Sequence, residues 1–367
     1  MTFQQLIERR FYIKRAVAFK LFRLPGVWRL LGERFIPKAK GVHGAMLPFH
    51  DAVSEATAFF DPDLGEEERK KLNRDMIRAW YKNTVTPEEY YIFGYRDLSQ
   101  KERDRFVSRK EKDLMMCLHV GIGEDYLLLK DKYKFFSKFG EFFHRDVCLL
   151  NGDAEHQRSF FQFCRKHSRF IAKKNKGRMG LGTVVREHDG SDAAIQNEIQ
   201  YLLSSGEEWV IEELINQDDR MARLNPSSVN SVRVCSRWNR DGFSVFEAFV
   251  RMGRAGAVVD NVSSGGPAAA IDIRTGIVSS EGFGKGDRFY PRHPDTMVPL
   301  VGFQIPDWDK LMDTVKRIHS LIPRYPYVGW DFALSENGWV VIEGNWGFFL
   351  SQYLKIGMKE ELKKCFL

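Results

Sequence analysis

The chain has 367 residues, 43% of them hydrophobic and 29% charged, ordinary for a soluble globular protein with room for two or three subdomains and a sizeable core. Five scattered cysteines without a Cys-x-x-Cys pair exclude a disulfide framework or a structural zinc site, and no apolar run is long enough to cross a bilayer. A reducing, cytoplasmic setting is therefore expected. The net charge of +7 is uneven: residues 1–40 hold ten Lys/Arg against Glu8 and Glu33, an excess of eight, so the remainder sums to −1.

Residues 1–50 read as a basic helical segment broken at Pro25-Gly26, with Phe3, Phe11, Phe19, Phe22, Trp28 and Leu31 among the charges. Two placements suit that mixture. One is an interfacial helix making peripheral contact with the inner face of a membrane through residues 1–40; the other is a helix docked on the body with its charges in water. No reader motif accompanies the charge, so nucleic acid is not an expected partner. Residues 51–130 read as mainly helical, with a charged amphipathic helix from Glu66 to Lys82 and a charged stretch from Leu98 to Lys112 whose apolar side is Phe106-Val107.

From about residue 168 the hydrophobic period changes. Phe170-Ile171-Ala172, Trp209-Val210-Ile211, Val232-Arg233-Val234, Val245–Val250 and Ala268–Ile273 are strand-like runs separated by Gly, Asn, Asp or Ser turns, while Asp192–Leu203 and Trp308–Leu321 are helical. With no repeat and no low-complexity linker, these belong to a compact α+β body. Directly after the first strand comes Lys173-Lys174-Asn175-Lys176-Gly177-Arg178-Met179-Gly180-Leu181-Gly182. Backbone N–H groups of such a loop can cup phosphate oxygens with ammonium groups close by, though a plain hairpin turn has the same look. It is neither a Walker loop nor a Rossmann fingerprint.

Near the end, apolar β-prone stretches flank Ser335-Glu336-Asn337-Gly338, and Asn-Gly signals a hairpin. Such a hairpin brings Asp331 opposite Glu343 and Asn345, which share a face because they are two apart. Three hard oxygen ligands of this kind suit Mg²⁺ when phosphates supply the rest; an ordinary hairpin with scattered polar residues is the alternative.

The order of these parts resembles the ATP-grasp superfamily: Asp131-Lys132 opening a helix, Lys173 at a strand end before a glycine loop, Glu212-Glu213-Leu214-Ile215, then Asp331 and Glu343-Gly344-Asn345. More narrowly, Asn230-Ser231-Val232-Arg233, Phe249-Val250-Arg251-Met252-Gly253, Val259–Gly266 and Asp272-Ile273-Arg274-Thr275-Gly276 are similar to the sugar-transfer-associated ATP-grasp proteins found with bacterial polysaccharide genes. The resemblance covers about residues 85–350 and implies an α+β ATP-grasp fold of two subdomains clasping ATP. Its parts would be a basic segment (1–50), a helical N-terminal region (51–130), a small subdomain with the glycine lid (131–215) and a large one with the metal site (216–367).

The resemblance also implies roles. Lys132 and Lys173 would neutralise α- and β-phosphate oxygens beside Lys176 in the loop, and Gly177, Gly180 and Gly182 would let the loop close. Glu212, Glu213 and Ile215 would form the adenine hinge, and Asp219 would meet the ribose hydroxyls, a place Asp218 could also fill. Asp331, Glu343 and Asn345 would hold Mg²⁺ bridging the phosphates. Where related ligases carry an arginine two positions before the metal Asp, this chain has Gly329, so Arg233 and Arg251 become the candidate γ-phosphoryl contacts. Asp260-Asn261 and Gly265-Gly266 would face the transferring group, and His293 would either touch the acceptor or lie on the surface.

The implied chemistry is an ATP- and Mg²⁺-dependent ligase acting on small-molecule carboxylate and amine substrates, an amino acid and a sugar acid or polysaccharide precursor among them, through an acyl-phosphate. A kinase on the same fold and a non-catalytic nucleotide-binding adaptor at a membrane remain open beside it.

Overall fold

The period-two runs become two antiparallel sheets because their apolar faces need a partner layer. The computed structural model describes residues 38–43, 45–120, 127–177, 182–256, 260, 265–286, 288–346 and 349–366. The basic segment up to residue 37, and Gly180 and Asn261 among the candidate site residues, lie outside the described residues. No helix among the described residues is long and apolar enough to cross a membrane.

Two compact units emerge. The first takes the described residues up to 120, Gly286, Arg288 and residues 349–366; the second takes the described residues of 127–285 and 289–346. The expected divide at 215/216 thus falls inside one unit, and the residues after 348 group with the N-terminal region. In the first unit a short hairpin of β1 (Ala39–Lys40) and β2 (Met46–Leu47) precedes helices Phe49–Phe60, Glu66–Asn83, Pro87–Ile92 and Arg109–Val120. Helix Glu66–Asn83 carries Glu66, Glu67 and Glu68 at its start and Lys82 in its last turn, matching the helix dipole. Pro87–Ile92 begins on a Thr86/Glu89 capping box. Phe49, Trp80, Tyr90, Phe93, Tyr95 and Phe106 form the core of this unit. The expected charged stretch 98–112 is split in two: Gln100–Arg103 is a single turn, whose Arg103 is bonded to both oxygens of Asp75, and Phe106 and Val107 then pass through the core.

Apart from Arg288, the strand residues of both sheets fall in the second unit. Strands β3 (Val147–Leu150), β4 (Arg169–Lys174), β5 (Thr183–Glu187) and β6 (Trp209–Glu213) make a four-stranded sheet in the order β3-β6-β4-β5. Phe160 and Phe163 of helix Ala154–Lys166, and Ile195, Ile199 and Leu202 of helix Asp192–Leu203, cover its Phe170 and Ile211. The larger sheet adds β7 (Ser231–Asn239), β8 (Gly242–Arg251), β9 (Ala268–Ala270), β10 (Gly282–Gly284), β11 (Arg288–Tyr290), β12 (Tyr327–Ser335) and β13 (Gly338–Asn345), ordered β11-β10-β9-β8-β7-β12-β13. The run expected to 273 stops as a strand at Ala270, because Asp272–Gly276 folds into a turn with Gly276 at φ +72°.

Helix Trp308–Ser320 packs on β7 and β13, burying Leu311, Val315 and Ile318. Beside them His319 is fully buried. Its Nε2 donates to the Tyr325 carbonyl (3.1 Å), so Nδ1 accepts from Ser236 Oγ (2.7 Å), which in turn accepts from Trp330 Nε1 (2.9 Å). Burial pushes the imidazole pKa down from 6.5 to about 4. Between those values the unfolded chain binds a proton that the native state refuses, so stability falls as pH drops through that window. Going from pH 7 to pH 5 is expected to cost about 2 kcal/mol through this group. Urea unfolding of His319→Gln at both pH values should show a loss smaller by that amount; an unchanged loss would remove His319 from the account.

Candidate functional site

Two halves of the second unit contribute, and each is built locally. In the small sheet, Lys173 pairs with Thr183, so the chain between Lys174 and Thr183 connects β4 to β5. Lys132 is the first residue of helix Lys132–Phe139, whose N-cap Asp131 accepts from Lys134 N at 2.9 Å. The Lys132 ammonium donates to the carbonyls of Lys174 (3.2 Å) and Gly177 (2.7 Å), and its backbone N–H donates to Asn175 O. Buried Asn175 accepts from Tyr133 N and donates to Glu208, fastening the loop's first turn to the helix start.

Glu212 of β6 pairs directly with Ile171 of β4, which sets Lys173 on the diagonal of the same face. Lys173 Nζ reaches Glu212 Oε1 at 2.7 Å, and Arg145 Nε and Nη2 reach Oε2 at 3.0 and 2.6 Å. Arg145 Nη1 also donates to the carbonyls of Phe143 and, on β13, Val341. Burial opposes ionisation of Glu212, yet Lys173 and Arg145 outweigh it and hold the pKa at about 2. Glu212 is therefore the counter-ion of two cations within β6.

In the large sheet the antiparallel registers of β7, β12 and β13 put Arg233, Asp331 and Glu343 on one rung across three adjacent strands. The β12–β13 turn is Glu336-Asn337, with Gly338 at φ +105° opening β13. Arg233 grips Asp331 with two bonds, Nε to Oδ1 and Nη2 to Oδ2, both 2.7 Å. Arg251, on β8 beyond β7, adds Nη2 to Asp331 Oδ2 at 3.1 Å; it also donates to Ser231 Oγ and lies 3.7 Å from Asp260. Burial would protonate the fully buried Asp331, but the two arginines prevail and its pKa is lowered. Burial and then the Asp331 charge push Glu343 the other way, against Arg233, Arg251 and Lys132. Gly329 leaves no side chain in line with Asp331, and the neighbouring strand supplies the cation instead.

Gly344 explains how the halves approach. A Cβ there would stand 2.8 Å from the ring of Phe135 and 3.2 Å from that of Trp330, so glycine lets helix Lys132–Phe139 lie against β13. Lys132 thereby comes within electrostatic reach of Glu343. Burial lowers the Lys132 pKa, Glu343 opposes that, and Lys173 adds to it. Gly344→Ala is expected to cost about 1–3 kcal/mol by overpacking; a urea midpoint equal to wild type would show that the helix yields freely.

The other candidates are placed as follows. Lys176 is exposed, and Gly182 has φ +78° with the Lys174 stem against it. Glu213 ends β6, its backbone N–H donating to Asp146 O and its carboxylate accepting from Asp146 N. Ile215 is half-buried between β6 and the bridge of Gln217 to Ser335. Asp218 is occupied as an N-cap and by Arg220, whereas Asp219 is exposed. Asp260 accepts from Ser231 N at 2.8 Å. Gly266 has a packing reason of its own, since a Cβ would sit 2.1 Å from Met252 O. His293 corrects both expectations: it is fully buried, donates from Nε2 to Gly253 O, and accepts on Nδ1 from Asp295 and Thr296 N–H, stapling its loop.

Arg145 escaped the sequence reading. Its only local signal is an arginine just before the short apolar strand Val147–Leu150. For a divalent cation, Asp331, Glu343 and Asn345 offer hard oxygens, and Asn345 Oδ1 is buried without a hydrogen-bond partner among the described residues. An oxygen left so is suited to a cation, so the donor set fits Mg²⁺.

A family profile described as sugar-transfer associated ATP-grasp matches residues 117–364. No curated protein matches the chain. Among solved structures, D-alanine–D-alanine ligase from Helicobacter pylori is 18% identical at TM-score 0.42, over 70% of this chain and 67% of that one. D-alanyl-alanine synthetase A from Vibrio cholerae is 10% identical at TM-score 0.39, over 64% and 66%. N5-carboxyaminoimidazole ribonucleotide synthetase in its ADP complex is 12% identical at TM-score 0.38, over 61% of this chain, which spans only 46% of that protein's length.

Proposed function

Because the chain belongs to the sugar-transfer-associated ATP-grasp family, whose members use ATP and Mg²⁺ in general, we propose that it is a ligase joining a small-molecule carboxylate to an amine. One observation supports this most: Lys132, at the start of its helix, lies within electrostatic reach both of Glu343 in the Arg233–Asp331–Glu343 rung and of Lys173 in the small sheet. Such a setting suits a triphosphate, for which catalysis is chiefly positioning and charge neutralisation.

In this reading Lys132 and Lys173, with Lys176 and Gly177, Gly180 and Gly182 of the lid, hold the α- and β-phosphates. Glu213 and Ile215 present backbone groups to adenine beside Glu212, and Asp219 meets the ribose. Asp331, Glu343 and Asn345 would hold Mg²⁺, which when bound would supply positive charge against the phosphate oxygens. Arg233 and Arg251 steady the γ-phosphoryl group as a carboxylate oxygen attacks it and ADP leaves. Asn261, Asp260 and the Gly265-Gly266 backbone face the acyl-phosphate. An amine nitrogen then attacks its carbonyl carbon, and inorganic phosphate departs with the C–O electrons as the amine loses a proton. An amino acid and a sugar acid or polysaccharide precursor are the substrate classes in keeping with the family's link to sugar transfer.

Purified protein with ATP, Mg²⁺ and pools of amino acids and sugar acids tests the proposal. Free phosphate appearing only when both a carboxylate and an amine are present supports the ligase. Labelled phosphate retained on a metabolite would make the chain a kinase, and nucleotide binding without turnover would make it an adaptor. The local charge excess of residues 1–40 further motivates peripheral contact with the cytoplasmic membrane face. Their deletion should then weaken binding to anionic vesicles at low salt, and unchanged binding would reject the contact.

A further inference from the structure

Asp331 is the one proposed metal ligand whose two oxygens are both already engaged. Arg233 takes Oδ1 and Oδ2 at 2.7 Å each, and Arg251 takes Oδ2 at 3.1 Å. Asn345 Oδ1, two strands from Arg233, has no partner at all among the described residues. The cage therefore has one oxygen waiting and one carboxylate closed off. A dication arriving alone would meet two fixed guanidinium charges beside Asp331, in a fully buried place where like charges are weakly screened. Moving either arginine away without a new anion would leave a buried cation unpaired, which is strongly unfavourable.

An anion that accepts both guanidinium groups removes that obstacle, and phosphate oxygens match the bidentate fork of arginine. Arg251 has an alternative neighbour in Asp260 at 3.7 Å, so its release from Asp331 does not leave it isolated. Resting on the nucleotide reading above, we propose that Arg233 and Arg251 are counter-ions that keep Asp331 closed to divalent cations until nucleotide phosphate takes them over. Metal entry is thereby tied to nucleotide entry, and the arginine left out at position 329 is replaced on the adjacent strand by one that guards the ligand as well as serving the phosphate.

The decisive test is a gain of binding without nucleotide. Mn²⁺ is titrated into wild type, Arg233→Met and Arg251→Met, each without nucleotide, and free Mn²⁺ is read by electron paramagnetic resonance. Wild type should bind weakly, and Arg233→Met at least about tenfold tighter, because a neighbouring positive charge is gone. Arg251→Met should show a smaller gain in the same direction. Tight binding by nucleotide-free wild type, or no gain in either variant while both stay folded by circular dichroism, would overturn the proposal. A fluorescent ADP analogue titrated into wild type with Mn²⁺ separates the two layers. If the analogue binds, the nucleotide reading stands whatever the arginines do; if it does not, that reading fails and the guard fails with it.

Discussion

Glu343→Gln is expected to lower ATP-dependent phosphate release by at least about a hundredfold while leaving the fold intact. Glu343 faces Asp331 across the β12–β13 ladder, and burial together with that neighbouring charge raises its pKa above the ordinary carboxylate value. A glutamine has the shape of the protonated acid, so the exchange asks little of the fold. What it removes is the second carboxylate of the proposed Mg²⁺ cage. Asp331→Asn should behave differently, because it takes the anion away from Arg233 and Arg251 and leaves two buried guanidinium groups short of charge. Its expected penalty is about 3–5 kcal/mol in unfolding free energy, with turnover lost as well. Steady-state phosphate release beside thermal unfolding resolves the two; full activity in Glu343→Gln would take that residue out of the site.

Arg145→Met should destabilise the protein by about 3–5 kcal/mol, the scale for stripping one partner from a buried ion pair. Its side chain is 4% exposed, as is that of Glu212, and it ties Glu212 of β6 to the Val341 carbonyl of β13. Combined with Glu212→Gln, the loss should fall at least about 1 kcal/mol short of the sum of the two single losses, since both changes remove the same ion pair while Lys173 remains beside position 212. Urea unfolding of the two single variants and the double variant completes the cycle, and strictly additive losses would mean the pair is not coupled. The pH dependence follows the same logic. Glu212 holds a folded pKa of about 2 against an ordinary 4.5, so its contribution is complete above about pH 4.5 and fades as pH falls toward 2. Arg145→Met should narrow that window by letting the folded pKa rise.

Much of the architecture was legible along the chain. Helix Asp192–Leu203 coincides with its expected limits, and helix Glu66–Asn83 runs one residue beyond its own. The β12–β13 hairpin follows from two alternating apolar runs around a turn containing asparagine and glycine. The resemblance identified the family from the order of parts. Less legible were β3, helix Ala154–Lys166 and β5: the two strands are only four and five residues long, and the Phe160 and Phe163 face means little until Phe170 is beside it.

The sequence by itself determined which segments turn, alternate or coil, and so where Lys132, Lys173, Asp331, Glu343 and Asn345 fall on their elements. Periodicity and turn chemistry act over a handful of residues, and that is why they can be read in one dimension. Only the tertiary structure decided that Arg233, 98 residues before Asp331, grips it across a shared rung, that Arg145 serves Glu212, and that Gly344 exists to admit Phe135. Those outcomes depend on which distant strands become neighbours and which charges are then buried together, and a buried charge takes whatever partner the fold brings within reach.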